Sequence, residues 1–237
     1  MKRNKFFPML YLVLTFLLFG MSSGRTEEVQ AHGVNFEKWV REVFFDNYEG
    51  GYTQKWDVSA EANQSDQVPK KGVPISIKVV KLGSPIGLGD ILRQRALDKE
   101  FLMIVGFWQQ KTETEKWIVE IECLHIKPDQ WDSLWGDLSI EKLQELDAIV
   151  KDMATSYKIV RTQAQDWKKT VLPELNSKMV VNPKIDSRSQ RRVQCSMPNK
   201  LFWELAGREP TPNDSAKLFG VAFPNPIYSK PRTFQVK

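Results

Sequence analysis

Between Asn35 and Asp46 the apolar residues fall at Phe36, Trp39, Val40, Val43 and Phe44, three or four apart, which predicts an amphipathic helix. The period then changes. Tyr52 to Val58 alternates like a strand, Ser59 to Lys71 is polar and reads as a loop, and Val73 to Leu82 alternates again. Gly83, Pro85, Gly87 and Gly89 predict a turn, and Asp90 is placed to cap a short helix over Ile91 to Asp98. Phe101 to Trp108 is continuously apolar, the signature of a strand covered on both faces. Trp117 to Leu124 predicts one more strand. From Asp129 to Ser177 the spacing of three and four returns, clearest at Ile140, Leu143, Leu146, Ile149, Val150 and Met153, and predicts an accessory layer of helices. A strand pair, Met179 to Asn182 and Arg191 to Cys195, precedes a tail punctuated by Pro210, Pro212, Pro224, Pro226 and Pro231.

This order of elements predicts an α/β fold in which helices pack on a mixed central sheet. The chain divides into a core over residues 30–126, the accessory helices over 127–177, and a C-terminal region over 178–237. Ahead of these, residues 1–24 read as a secretory leader, with Lys2, Arg3 and Lys5, an apolar run from Phe6 to Phe19, and then small residues. A genuine leader implies an exported or membrane-associated protein; translation from Met21 instead gives a cytoplasmic one.

Composition narrows the function classes. With 237 residues, 41% hydrophobic and 27% charged, the chain is globular and not a multi-span membrane protein. Cys123 and Cys195 stand alone, so no disulfide framework and no cysteine zinc cluster is available, and both read as buried thiols. His32 and His125 are too few for a His-rich metal site, and no GxxxxGK[ST] motif occurs, so no nucleotide cofactor is expected. His125 and the Trp131, Trp135, Trp167 and Trp203 group read as structural. The net charge is +5, but eleven basic residues face four acidic ones from Lys178 onward, which points either to a polyanion-facing surface or to a solvated basic tail.

Three residues carry chemistry. Glu37 sits at the border of the first helix's apolar stripe, where it can look along a sheet surface or simply pair with Arg41 one turn later. Asp57 ends a strand. Lys78 shares a strand face with Ser76 while Ile75, Ile77 and Val79 take the other, so its ammonium must reach solvent or find an anion. Two acidic groups and a lysine converging on one point would suit Mg²⁺, which prefers oxygen ligands, and a lysine beside it activates water and offsets phosphate charge.

Gly33-Val-Asn-Phe-Glu37, Asp57 and Val73-Pro-Ile-Ser-Ile-Lys78 resemble the three motifs of the PD-(D/E)xK nuclease superfamily. Leu88-Gly-Asp-Ile-Leu-Arg-Gln94, the run Phe101 to Trp108, and the segment Asn182 to Cys195 are similar to type II restriction endonucleases within it. The resemblance implies a restriction-endonuclease-like core and a Mg²⁺-dependent endonuclease of double-stranded DNA leaving 5′-phosphates. It also implies a homodimer and a cognate DNA methyltransferase. Within the site it implies that Asp57 is the principal metal ligand, Glu37 a second, and Lys78 the residue that positions the attacking water. Ser76 departs from the pattern, since it stands where the family usually has an acid, and Trp56 replaces the usual Pro. Either Glu37 compensates, or Glu61 swings in, or the fold is a catalytically dead DNA-binding protein. An exported binding module is the reading that the leader favours.

Extended geometry across Arg188 to Cys195 puts Arg188, Gln190, Arg192 and Gln194 on one face and Arg191, Val193 and Cys195 on the other. Arginine and glutamine side chains are suited to guanine and adenine edges. With the nuclease motifs upstream, Arg188, Gln190, Arg191, Arg192 and Gln194 are taken as the DNA-contacting set; without them, a charged edge strand would be the simpler account.

Overall fold

The computed structural model describes residues 35–50 and 55–228. The leader and Met21 lie outside these residues, as do 51–54 at the start of the expected strand Tyr52 to Val58. The first helix, α1, spans 35–44. It stops two residues earlier than its apolar pattern predicts, because Asp46 and Asn47 take positive φ angles of 48° and 58°. Of the expected strand before the loop, the described residues 55–58 form a single bridge, Val58 to Ile75.

Next come β1 (Ile75–Lys81), β2 (Ile86–Asp90), α2 (Ile91–Arg95), β3 (Phe101–Gln110) and β4 (Glu115–Ile126). Then follow the helices α3 (Pro128–Ser133), α4 (Ile140–Lys151) and α5 (Tyr157–Thr170) and a short 3-10 turn (Leu172–Leu175). The chain continues through β5 (Val180–Ile185), β6 (Arg191–Met197), α6 (Asn199–Ala206), β7 (Lys217–Leu218), β8 (Val221–Ala222) and β9 (Ile227–Tyr228). Gly87 and Gly89, expected in a turn, lie in β2, where the register with β6 shifts by one residue between them. Asp90 caps α2 as expected, its carboxylate accepting from the Arg93 N–H at 2.9 Å.

The first sheet is mixed, in the order β1-β3-β4-β9, with β1 parallel to β3 and the other pairs antiparallel. The second is antiparallel, in the order β2-β6-β5. Strand β3 is buried from Phe101 to Phe107, as its apolar run predicts. Leu102 and Ile104 join one apolar cluster with α1, while Phe101, Met103, Val105 and Phe107 join a second. That second cluster includes Leu143, Leu146 and Val150 of α4, Val160 and Trp167 of α5, and the inner residues of β2, β5 and β6. The helices of 127–177 therefore share one core with both sheets. Trp131, Trp135, Trp167 and Trp203 are all buried there, as expected.

The Pro-punctuated tail is not a loose end. Strand β9 pairs with β4, and Ala216, Leu218, Phe223 and Ile227 are buried in the cluster around α1. The Phe223 ring stands 5.7 Å from Phe36 and 5.1 Å from Trp39. Gly106 lets the same helix close onto β3: a Cβ built there would lie 2.8 Å from the Phe36 ring. Through Phe36, helix α1 thus packs on both a glycine of the central strand and an aromatic ring of the tail.

Candidate active site

Strand β1 is at the edge of the first sheet, so part of its backbone lacks a strand partner. Asp57 supplies one. Its own N–H donates to the Ile75 carbonyl at 3.0 Å, and its Oδ2 accepts the Ile77 N–H at 2.6 Å. The side chain thereby continues a ladder that the Val58–Ile75 bridge begins, which fixes the carboxylate against the strand.

The alternation predicted for β1 holds: Ile75 and Ile77 are buried in the α1 cluster, and Ser76 and Lys78 are half-buried. The Lys78 ammonium finds an anion, lying 3.2 Å from Asp57 Oδ2, and also donates to the Ile77 carbonyl at 3.0 Å. Ser76 Oγ donates to the same Asp57 oxygen at 3.5 Å. The Ile77 N–H, the Lys78 ammonium and the Ser76 hydroxyl thus converge on Oδ2.

Glu37 approaches from α1. It is half-buried and pairs with Arg41, so the local helical pairing read from the sequence is realised. Burial raises its carboxyl above the usual range, and the nearby Asp57 charge raises it further, against the opposing pull of Arg41 and Lys78. That the Asp57 and Lys78 charges both act on Glu37 brings the three residues into one electrostatic neighbourhood. A carboxyl raised in this way by a neighbouring carboxylate is relieved by a cation placed beside it. Glu37 also lines an open cleft of about 400 Å³ with Lys38, Arg41, Glu42, Tyr48 and Glu49. Among the described residues, no group of three or more His, Cys, Asp or Glu side chains gathers as a metal site. Glu61 is exposed, with its carboxylate held by its own backbone N–H and the Ser59 hydroxyl, and does not join the pair.

Sequence reasoning missed what holds the loop after Asp57. Asn63 is fully buried, donating to the Lys70 and Val73 carbonyls at 2.8 and 2.9 Å, and its own carbonyl accepts the Gly72 N–H. Lys70 and His125 both reach Glu100 Oε2 at 2.8 Å, which ties the loop to β4 and lowers the Glu100 carboxyl below its ordinary range. His125, expected to be structural, thus has its partner in Glu100. An Asn among polar loop residues carried no signal that it would be buried.

The expected DNA-contacting residues separate. Strand β6 lies between β2 and β5, so it is not an edge strand. Arg192 is exposed and Gln194 half-buried on its outer side, while Val193 and Cys195 are buried on its inner side. Arg188 and Gln190 are exposed in the β5–β6 turn and are not part of the strand. Arg191 is corrected: it is buried, donating to the Asp152 and Thr155 carbonyls beyond α4, so it anchors the hairpin instead of facing a ligand. Arg161 Nη2 donates to the Ile185 carbonyl at 2.6 Å and fixes the other root of the same turn.

Burial pushes the Cys123 and Cys195 thiols up to about 12. A second depression, about 490 Å³ and lined by Lys200, Trp203 and Arg208 among others, contains none of the expected site residues. The Arg208 guanidinium is committed to Glu120 and Glu122, at 3.0 and 2.6 Å. No helix of the described residues is long and apolar enough to cross a membrane. Comparison with protein-family models, with curated proteins and with solved structures finds no match in any of the three.

Proposed function

We propose that the protein is a Mg²⁺-dependent endodeoxyribonuclease of the type II restriction endonuclease kind, built on a PD-(D/E)xK core. The observation that supports this is the meeting of Asp57 and Lys78, 3.2 Å apart at the free edge of β1, within the electrostatic reach of Glu37. The donor set suits a hard cation: two carboxylates with a neutral hydroxyl beside them, in a setting where burial and the Asp57 charge disfavour ionisation of Glu37. Asp57 and Glu37 would hold Mg²⁺, which when bound offsets the charge of a phosphate oxygen and acidifies a water.

Lys78 would orient the attack. Its ammonium has three protons, of which Asp57 Oδ2 and the Ile77 carbonyl take two, leaving one for a water or a non-bridging phosphate oxygen. Because both partners are fixed to β1, that donor is preorganised and costs no rearrangement during the reaction. In-line attack of water on phosphorus breaks the bond to the 3′ oxygen, leaving a 5′-phosphate and a 3′-hydroxyl. Arg188, Gln190, Arg192 and Gln194 would face the duplex. A homodimer on a palindromic site and a cognate methyltransferase belong to the same reading, as does a cytoplasmic location if translation starts at Met21.

Ser76 favours a second reading, a DNA-binding protein on an inactive nuclease fold, because a hydroxyl replaces a carboxylate ligand. Incubating plasmid with the purified protein separates the two. Discrete fragments with Mg²⁺, none in EDTA, and none from Asp57→Ala or Lys78→Ala proteins that still retard DNA support the enzyme. A retarded but intact band from the wild-type protein supports the binder, and cutting by Lys78→Ala refutes the site.

A further inference from the structure

Glu37 has two claims on it. In the proposed site it is a ligand for Mg²⁺, yet one turn further along α1 the Arg41 guanidinium already donates to its Oε1. Both side chains are largely withdrawn from water, Arg41 being 25% exposed and Glu37 32%. The backbone fixes where the arginine starts from. Its carbonyl accepts the Phe45 N–H at 3.0 Å and the Asn47 N–H at 3.2 Å, so Arg41 is part of the turn that ends the helix.

Glu37 is also the anion on which this guanidinium depends. Among the described residues Arg41 pairs with no second acid, and its buried Nε has no acceptor. The other cation of the cleft is committed elsewhere, Lys38 lying 3.3 Å from Glu42. The cleft lining holds Glu37, Glu42 and Glu49 against Lys38 and Arg41, so its acids outnumber its bases. A half-buried carboxylate beside a second carboxylate is costly to keep ionised without a positive charge. Burial and Asp57 oppose the ionisation of Glu37, and Arg41, followed by Lys78, works against them.

We infer that Arg41 is the resident counter-cation of the metal site: it neutralises Glu37 in the metal-free protein and gives the carboxylate up when a divalent cation binds. The pair keeps Glu37 charged and held on α1 before metal arrives. It also lowers the apparent affinity for the metal, which binds only the fraction of molecules in which Glu37 is released. An i,i+4 pair this far withdrawn from water belongs at the upper end of the range for surface ion pairs, which corresponds to about a fivefold reduction. Arg41 is then a positioning residue, acting on the metal through Glu37.

This inference rests on the cation site of the nuclease reading, and the experiment keeps the two apart. Mg²⁺ alone is titrated, by calorimetry and by thermal unfolding, into the wild-type protein, Arg41→Gln, Lys38→Gln, Glu37→Gln and the double variant Glu37→Gln with Arg41→Gln. Arg41→Gln should bind Mg²⁺ about fivefold more tightly than the wild type. Lys38→Gln, which removes a charge of the same sign from the same cleft, should bind it as the wild type does. Fivefold is about 1 kcal/mol, so without Mg²⁺ Arg41→Gln should melt roughly 2–4 °C lower, and saturating Mg²⁺ should abolish the difference. In the Glu37→Gln background the Arg41 substitution should leave Mg²⁺ affinity unchanged. Unchanged or weaker Mg²⁺ binding by Arg41→Gln, or equal tightening in Lys38→Gln, overturns the inference, and Mg²⁺-dependent cutting of plasmid by the wild type then leaves the nuclease reading standing. A wild-type protein that neither binds Mg²⁺ nor cuts plasmid overturns both. Should Arg41→Gln fail to fold, Arg41→Met, which keeps most of the aliphatic stem, decides in its place.

Discussion

Replacing Gly106 with alanine tests whether the position of α1, and with it Glu37, is set by a single missing methyl group. The new Cβ would lie 2.8 Å from Cε2 and Cζ of Phe36 and 3.0 Å from Cδ2, whereas carbon atoms prefer about 3.5–4.0 Å. The ring cannot retreat, since Phe36 is fully buried with Trp39 and Phe223 packed around it at 5.9 and 5.7 Å. Nor can Gly106 move, because it is paired to Val79 on one side and Ile121 on the other. Overpacking of this kind costs about 1–3 kcal/mol. At about 2–4 °C per kcal/mol for a chain of this length, the melting temperature should fall by roughly 2–12 °C. If α1 lifts to relieve the contact, Glu37 moves away from Asp57 and Mg²⁺-dependent cleavage falls further than the melting temperature alone explains. Circular dichroism melts and plasmid digestion read the two effects. A double variant, Phe36→Leu with Gly106→Ala, should be less destabilised than the single penalties add up to, because the smaller side chain makes room for the methyl. An unshifted melt for Gly106→Ala, or strict additivity in the double variant, would refute this account of how α1 is seated.

Arg191→Met should lower stability by about 1–3 kcal/mol, by leaving the Asp152 and Thr155 carbonyls without their donor, while the folded protein retards DNA as before. Arg192→Ala should do the reverse, with stability within about 0.5 kcal/mol of wild type and weaker, less salt-dependent DNA binding. Phe223→Ala should cost about 3–5 kcal/mol, measured by denaturant unfolding, although it lies in the Pro-punctuated tail. Saturating Mg²⁺ at about 100 times its dissociation constant should stabilise the wild-type protein by about 2.7 kcal/mol and Glu37→Gln by much less; an equal rise in both melts would remove Glu37 from the cation site. Cys123 and Cys195, protonated in the folded state up to about pH 12 but ionising near 9 when unfolded, contribute stability that is complete below pH 9 and declines as pH rises toward 12. Thiol-reactive probes at pH 8 should therefore label the native protein slowly and the unfolded protein quickly.

The parts of the site that the sequence revealed are those governed by local period. Alternation in β1 separates Ser76 and Lys78 from Ile75 and Ile77, and helical spacing puts Glu37 at the border of α1; both follow from bond geometry within one element. What stayed hidden depends on contacts between distant residues. Alternation separates Arg191 from Arg192, but only the end of α4, some forty residues earlier in the chain, makes one of them an anchor. Gly87 and Gly89 read as a turn because glycine in a sequence signals a break in either a turn or a bulged strand, and only the pairing with β6 distinguishes these. The packing of the tail carried no signal, because Phe223 and Ile227 are isolated apolar residues without a period and their burial is decided by α1 and β4.

The seating of α1 against Phe223, and the closing of the first sheet by β9, have a consequence for synthesis. While the ribosome is still extending the chain, the helix that carries Glu37 lacks the ring that completes its packing, and β4 lacks its last neighbour. The packing that seats Glu37 is therefore complete only once the segment through Tyr228 has emerged, which makes the seating of the first helix one of the last events of synthesis.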